Sequence, residues 1–186
     1  TEAITPNWME EMLMFSQRED VGAVGAMLYY PDDTVQHAGV ILGIGGIADH
    51  AHKHFRRDAY GYVARLTIAQ NLSAVTGACM MMRKECFEEV GGFDERLAVA
   101  FNDIDLCMKI RQKGYLIVFT PYAELYHYES KSRGVEDTPE KKNRFHKEVL
   151  LFREKWIGVL DQGDPYYNPN LTLERGDFSL NFKKIR

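Results

Sequence analysis

The sequence predicts an α/β protein, and three observations carry that expectation. Residues 21–30, VGAVGAMLYY, form a short, almost wholly apolar run, as a strand buried on both faces of a sheet does. Residues 103–113 read as a helix with Asp103 and Asp105 in its first turn, Lys109 to Lys113 near its end and Gly114 as its stop. Further apolar strands alternate with helical segments along the chain, which implies helices layered on a sheet.

The remaining elements follow in order. Thr5-Pro6 reads as a helix cap with proline at the first helical position. Trp8, Met12 and Phe15 then recur at helical spacing, which predicts a helix over 6–18. Pro31-Asp32-Asp33 signals a turn, and 35–43 a strand broken by Gly45-Gly46. Residues 49–58 are polar and His-rich, a loop; 60–70 read as helical and 75–82 as a strand. A short helix over 84–90 is stopped by Gly91-Gly92. Short strands at 116–120 and 123–126 flank Pro121, and 129–137 form a polar loop. A long helix opens at Thr138-Pro139-Glu140 and carries Phe145, Val149, Phe152 and Trp156 on one stripe. Beyond Gly158 the chain reads as an extended tail packed by aromatics, giving a domain over 1–158 and a tail over 159–186. Few strands are convincing for a sheet covered on both faces, so an incomplete sheet with a missing N-terminal half is expected.

Composition narrows the function. The 186 residues suffice for one domain, and 45% apolar and 12% aromatic content supports a packed core. A net charge of -4 supplies no broad basic field, which argues against nucleic-acid binding. Cys79, Cys86 and Cys107 are an odd number without paired spacing and read as reduced thiols. With no visible leader or spanning segment, a cytoplasmic setting is expected, with the inner face of the cell membrane as a peripheral site.

Four clusters are candidates for chemistry. Asp103 and Asp105 point in different directions from one helix start, so one can face a cleft while the other caps the helix. A carboxylate there stays ionised and suits a general base, although acidic residues in a first turn are also ordinary. His127 ends a strand before a polar loop, where ligands of open α/β sheets gather, and its imidazole suits a divalent metal or a purely structural role. Ser130-Lys131-Ser132-Arg133-Gly134 suits a diphosphate clamp or a solvated loop. His50, His52 and His54 would share one face of a strand and suggest zinc, but Lys53, Arg56 and Arg57 oppose it and no fourth ligand adjoins. His37 has no partner nameable from sequence.

Three stretches, in this order and spacing, resemble the family 2 glycosyltransferases of the GT-A fold, most closely the bacterial enzymes that build surface polysaccharides, rhamnosyltransferase-like members included. They are Thr76-Gly77-Ala78-Cys79 through Phe93-Asp94-Glu95, Asn102-Asp103-Ile104-Asp105 through Gly114-Tyr115, and Tyr126-His127-Tyr128-Glu129-Ser130. The likeness runs from about residue 4 to residue 133. It implies a partial GT-A fold, a mixed sheet flanked by helices. It implies an inverting, metal-dependent transferase that moves a sugar from a nucleotide-sugar donor to a glycan acceptor. Asp103 maps to the catalytic base and His127 to a ligand of Mg or Mn. Ser130, Lys131 and Arg133 map to the loop over the donor diphosphate, and Thr76, Gly77, Ala78 and Asp94 to the acceptor side. Asn102 stands where the family often has an acidic residue, which leaves its role open.

The family's nucleotide-binding half, with its Asp-x-Asp-type metal motif, is not found in this sequence. The chain alone is therefore expected to be inactive and to self-associate through exposed sheet edge. Two other readings stand beside the transferase: a non-catalytic carbohydrate- or partner-binding module, and a metal-dependent hydrolase using Asp103, Asp105, His127 and the His50–His54 cluster.

Overall fold

The computed structural model describes residues 1–128 and 138–183. The chain opens with β1 (Glu2–Ala3), α1 (Trp8–Ser16), β2 (Val21–Tyr29), β3 (Val35–His37), β4 (Val40–Leu42) and β5 (Ala48–His50). Then come β6 (Gln70–Leu72), β7 (Met80–Met81), α2 (Lys84–Glu89), α3 (Asn102–Gln112), β8 (Leu116–Tyr126) and α4 (Pro139–Gln162).

Two long parallel strands, β2 and β8, make the centre of a six-stranded mixed sheet. Their outer edges are lined by short antiparallel partners. β6 and β1 pair with β8, while β7 and β3 pair with β2. β4 and β5 form a separate hairpin. Every residue of β2 is buried, as its apolar run predicts. Ala23, Met27, Ile117 and Phe119 face a core that also takes Phe152 and Trp156 of α4. Val24, Ala26, Leu28, Val118 and Leu125 face the other way, onto Met12 of α1. Gly25 admits Val75 so closely that a Cβ there would collide with it.

Local expectations gave way where tertiary partners claimed the backbone. α1 starts at Trp8, because Thr5 is drawn to the sheet: its Oγ1 accepts from Glu124 N at 3.1 Å. Gly39, at φ +100°, splits the predicted 35–43 strand into β3 and β4. Residues 60–70 are not a helix. Their apolar side chains share no buried face: Leu66 packs into the core while Val63 and Ile68 are 74% and 46% exposed, and a 3-10 turn at Tyr62–Ala64 leads into β6. The predicted 75–82 strand shrinks to β7, since the Thr76 and Gly77 amides bond to side chains instead of a ladder. The two strands around Pro121 are one strand, β8, bulged so that Thr120 pairs Ala26 and Glu124 pairs Met27. Proline has no N–H for a ladder, so the bulge is where it is tolerated.

α4 begins as predicted: Thr138 Oγ1 accepts from Lys141 N at 3.3 Å, with Pro139 in the first turn. It runs through Gly158 to Gln162, so the boundary placed after residue 158 falls inside a helix. The tail beyond it packs Tyr167, Leu171 and Phe178 against Ile41, Ile44 and Ala51.

Candidate active site

Asp103 sits in the first turn of α3, reached through Phe101 at φ +64°. A bulky residue in the left-handed region is strained and needs support from its surroundings. α4 supplies it. Phe101 packs against Phe145 and Phe152, with ring centroids 5.8 and 5.3 Å away. The buried Glu148 carboxylate accepts from Val99 N at 3.1 Å and Ala100 N at 2.9 Å.

The Asp103 carboxylate is held at both oxygens. Oδ2 accepts from Gly77 N at 2.8 Å and from Thr76 Oγ1 at 3.0 Å; Oδ1 accepts from Ile104 N at 2.9 Å. A Cβ on Gly77 would stand 3.3 Å from Asp103 Cβ, so glycine lets the turn approach this closely.

Asp105 does other work. It is fully buried, bonded at Oδ1 to Trp156 Nε1 at 2.8 Å and to Lys155 Nζ at 2.6 Å. Lys155 also reaches Asp94 at 3.1 Å, and Asp94 binds Arg96 at 2.8 Å. The Arg96 guanidinium, with Lys155, holds the Asp94 carboxyl well below the usual carboxylate range. The sequence reading let the two aspartates divide cleft and cap between them. Asp103 accepts from an amide of the first helical turn, and Asp105 anchors α4.

His127 follows β8, its backbone N donating to Tyr29 O at 2.9 Å. Its Nδ1 lies 2.9 Å from Gln36 Oε1. A carbonyl oxygen only accepts, so this bond places the proton on Nδ1 and the lone pair of the neutral ring on Nε2. A small cavity of about 120 Å³ opens here, lined by Tyr30, Gln36, His50, Lys53, Thr76 and His127. It joins His127 to Thr76, which bonds Asp103. A larger open depression, about 630 Å³, is lined by charges that pair with one another, Arg57 with Asp33 and Glu124 and Arg56 with Asp58.

The His50–His54 group disperses. His50 Nδ1 lies 2.8 Å from His37 Nδ1. His52 accepts from Tyr62 N at 3.0 Å and stacks on Phe178, and His54 stacks on Tyr30. His52 and His54 take positive φ, so the segment is no strand and the shared face does not form. Among the described residues no group of three His, Cys, Asp or Glu is placed to hold a metal ion. Ser130, Lys131 and Arg133 lie outside the described residues.

Sequence reading missed Gln36 and His37 as site neighbours, and put His50 beside His127 only in the hydrolase reading. The signal was there: Gln36-His37 is a polar pair in a buried, otherwise apolar strand segment. Cys86 and Cys107 are buried and Cys79 partly so, all as free thiols; burial pushes Cys107 up to about 12 and Cys79 to about 11.

Residues 2–145 match the family described as Glycosyltransferase like family 2. The chain belongs to this family. The mixed sheet and its helices are those of a partial GT-A domain. Among similar proteins is Uncharacterized protein y4gI of Sinorhizobium fredii, 54% identical over 180 residues, 96% of this chain and 20% of that protein. The O-antigen biosynthesis protein RfbC of Myxococcus xanthus is 39% identical over 183 residues, 96% of this chain and 14% of that one. The N-acetylglucosaminyl-diphospho-decaprenol L-rhamnosyltransferase of Mycobacterium tuberculosis is 35% identical over 78 residues, 42% of this chain and 25% of the relative. The chain thus spans a quarter or less of the length of these relatives. No helix among the described residues of this family member is long and apolar enough to cross a membrane.

Proposed function

We propose that this domain is the acceptor-side part of an inverting glycosyltransferase and that Asp103 is its general base. The donor is a nucleotide sugar and the acceptor a glycan hydroxyl. The observation that carries this reading is the Asp103 carboxylate, held by Thr76 Oγ1 and Gly77 N one residue from the His127 cavity. A base must be fixed in direction, and two donors on one oxygen provide that.

In the step, Asp103 removes the acceptor hydroxyl proton as that oxygen attacks the anomeric carbon. The bond from that carbon to the donor diphosphate breaks on the opposite face. The leaving diphosphate carries away the electron pair, and configuration inverts.

The tautomer at His127 suits a Mg or Mn ligand: with Nδ1–H given to Gln36, Nε2 is the ring atom that would bind the metal. Such an ion, when bound, would offset charge on the diphosphate. His127 is one ligand, and the donor itself would supply others. Ser130, Lys131 and Arg133 follow His127 in the sequence, and their hydroxyl and cationic side chains suit contact with the diphosphate. The names of two relatives, in O-antigen biosynthesis and rhamnosyl transfer, favour a bacterial polysaccharide or lipid-linked saccharide as the acceptor.

The test is Asp103→Asn in the polypeptide that carries this domain. Sugar transfer should be abolished, while donor affinity by calorimetry is unchanged. Retained turnover would sink the assignment.

A further inference from the structure

The Thr76 turn that holds Asp103 is itself held from behind. Thr76 N lies 3.3 Å from Nε2 of His37, whose side chain is fully buried. A backbone N–H can only donate, so His37 Nε2 must present its lone pair. The proton of the neutral ring is then on Nδ1, from which it is donated to His50 Nδ1 at 2.8 Å. His50, accepting at Nδ1, carries its own proton on Nε2. One backbone amide therefore sets the tautomers of two imidazoles.

The surroundings fix His37 further. Its ring stands edge-on to Phe119 of β8, with centroids 6.4 Å apart, and to His50 at 4.9 Å. Burial, together with the neighbouring His50 and His127, keeps the imidazole well below its usual protonation range. A continuous chain results: His50 on the cavity wall, then His37, then the Thr76 amide, then Thr76 Oγ1 on Asp103. A histidine that merely filled space in the core would need no particular partner. This one binds the amide of the turn that carries two of the three donors to the base.

We propose that His37 is a positioning residue for Asp103: its Nε2 holds the Thr76 amide and so aims Thr76 Oγ1 and Gly77 N–H at the carboxylate. The catalytic part of this statement rests on Asp103 being the base; the geometric part does not. Two variants separate the ring's two contacts. The His37→Gln side chain reaches the Nε2 position and can accept from Thr76 N. The His37→Asn side chain reaches only the Nδ1 position, so it can keep His50 while leaving the amide unpaired.

The first measurement is nitrogen NMR of this chain, which should find the His37 proton on Nδ1. A proton on Nε2 would overturn the proposal whatever the variants do. The second is amide hydrogen exchange. In His37→Asn, exchange at Thr76 and Gly77 should quicken about tenfold or more while the β2 and β8 amides keep their protection. His37→Gln should restore it. The third is sugar transfer by the polypeptide carrying this domain. There, kcat should fall about tenfold in His37→Asn with donor KM unchanged, and recover in His37→Gln.

Wild-type exchange at Gly77 in a folded His37→Asn protein overturns the proposal. So does an unchanged kcat in a protein whose Asp103→Asn variant is dead. Were Asp103→Asn itself active, the base reading and the catalytic role of His37 would fall together.

Discussion

The Asp103 carboxylate receives three hydrogen bonds, and the fully buried Asp105 two positions later receives a tryptophan N–H and a lysine. Spacing on a helix separates the two side chains by direction, but direction alone does not say what each meets. His52 poses the same problem. It is 1% exposed, accepts from Tyr62 N through Nε2, and so carries its proton on Nδ1, for which no partner is found among the described residues. Burial, aided by Arg65, lowers its pKa from 6.5 to about 4. Between those values the unfolded chain binds a proton that the folded chain does not, so stability rises with pH across that window and is lost as pH falls. Denaturant unfolding should show the fold losing roughly 2 kcal/mol at this site between pH 7.5 and pH 5. His52→Gln, which keeps an acceptor but does not titrate, should flatten that part of the slope. An equal slope in the variant would refute the assignment.

α4 acts at the scale of elements. It touches the approach to Asp103 at several points: Glu148 on the Val99 and Ala100 amides, Phe145 and Phe152 on Phe101, and Lys155 and Trp156 on Asp105. Its amphipathic stripe was legible in the sequence because helical periodicity is local. That the stripe would brace the strained Phe101 was not, since those contacts join residues about fifty positions apart. Glu148→Ala should leave two backbone donors unpaired and cost about 2 kcal/mol by denaturant titration. It should also raise the exchange rate of the Val99 and Ala100 amides. A stability within error of wild type would show that α4 braces this turn through its aromatics alone.

For the whole molecule, the sheet is the organising unit. Short strands occupy the outer edges of both β2 and β8, so the backbone of the central pair is covered along part of its length. The apolar side chains of α1 are less protected: Met9, Leu13 and Met14 are 53%, 51% and 50% exposed. A patch of this kind on an isolated chain favours association with a second copy. Light scattering of the purified chain should show apparent mass rising with concentration. A monodisperse monomer throughout the accessible range would contradict this.

The sequence by itself determined the α/β class, the buried strand at 21–29, the polarity of α3, the start of α4 and the motif order that marks the family. Each is a local or linear pattern: apolar runs, helical spacing, caps and motif spacing survive without knowledge of the fold. Tertiary structure decided the rest. It turned 60–70 from a helix into a turn and a strand, because β8 had an edge to fill and the apolar residues there share no common face, Leu66 lying in the core and Val63 and Ile68 in solvent. It dispersed the three neighbouring histidines and sent His50 to His37. It gave the Thr76 and Gly77 amides to a histidine and a carboxylate, a choice made by groups 39 and 26 positions away that no local pattern encodes.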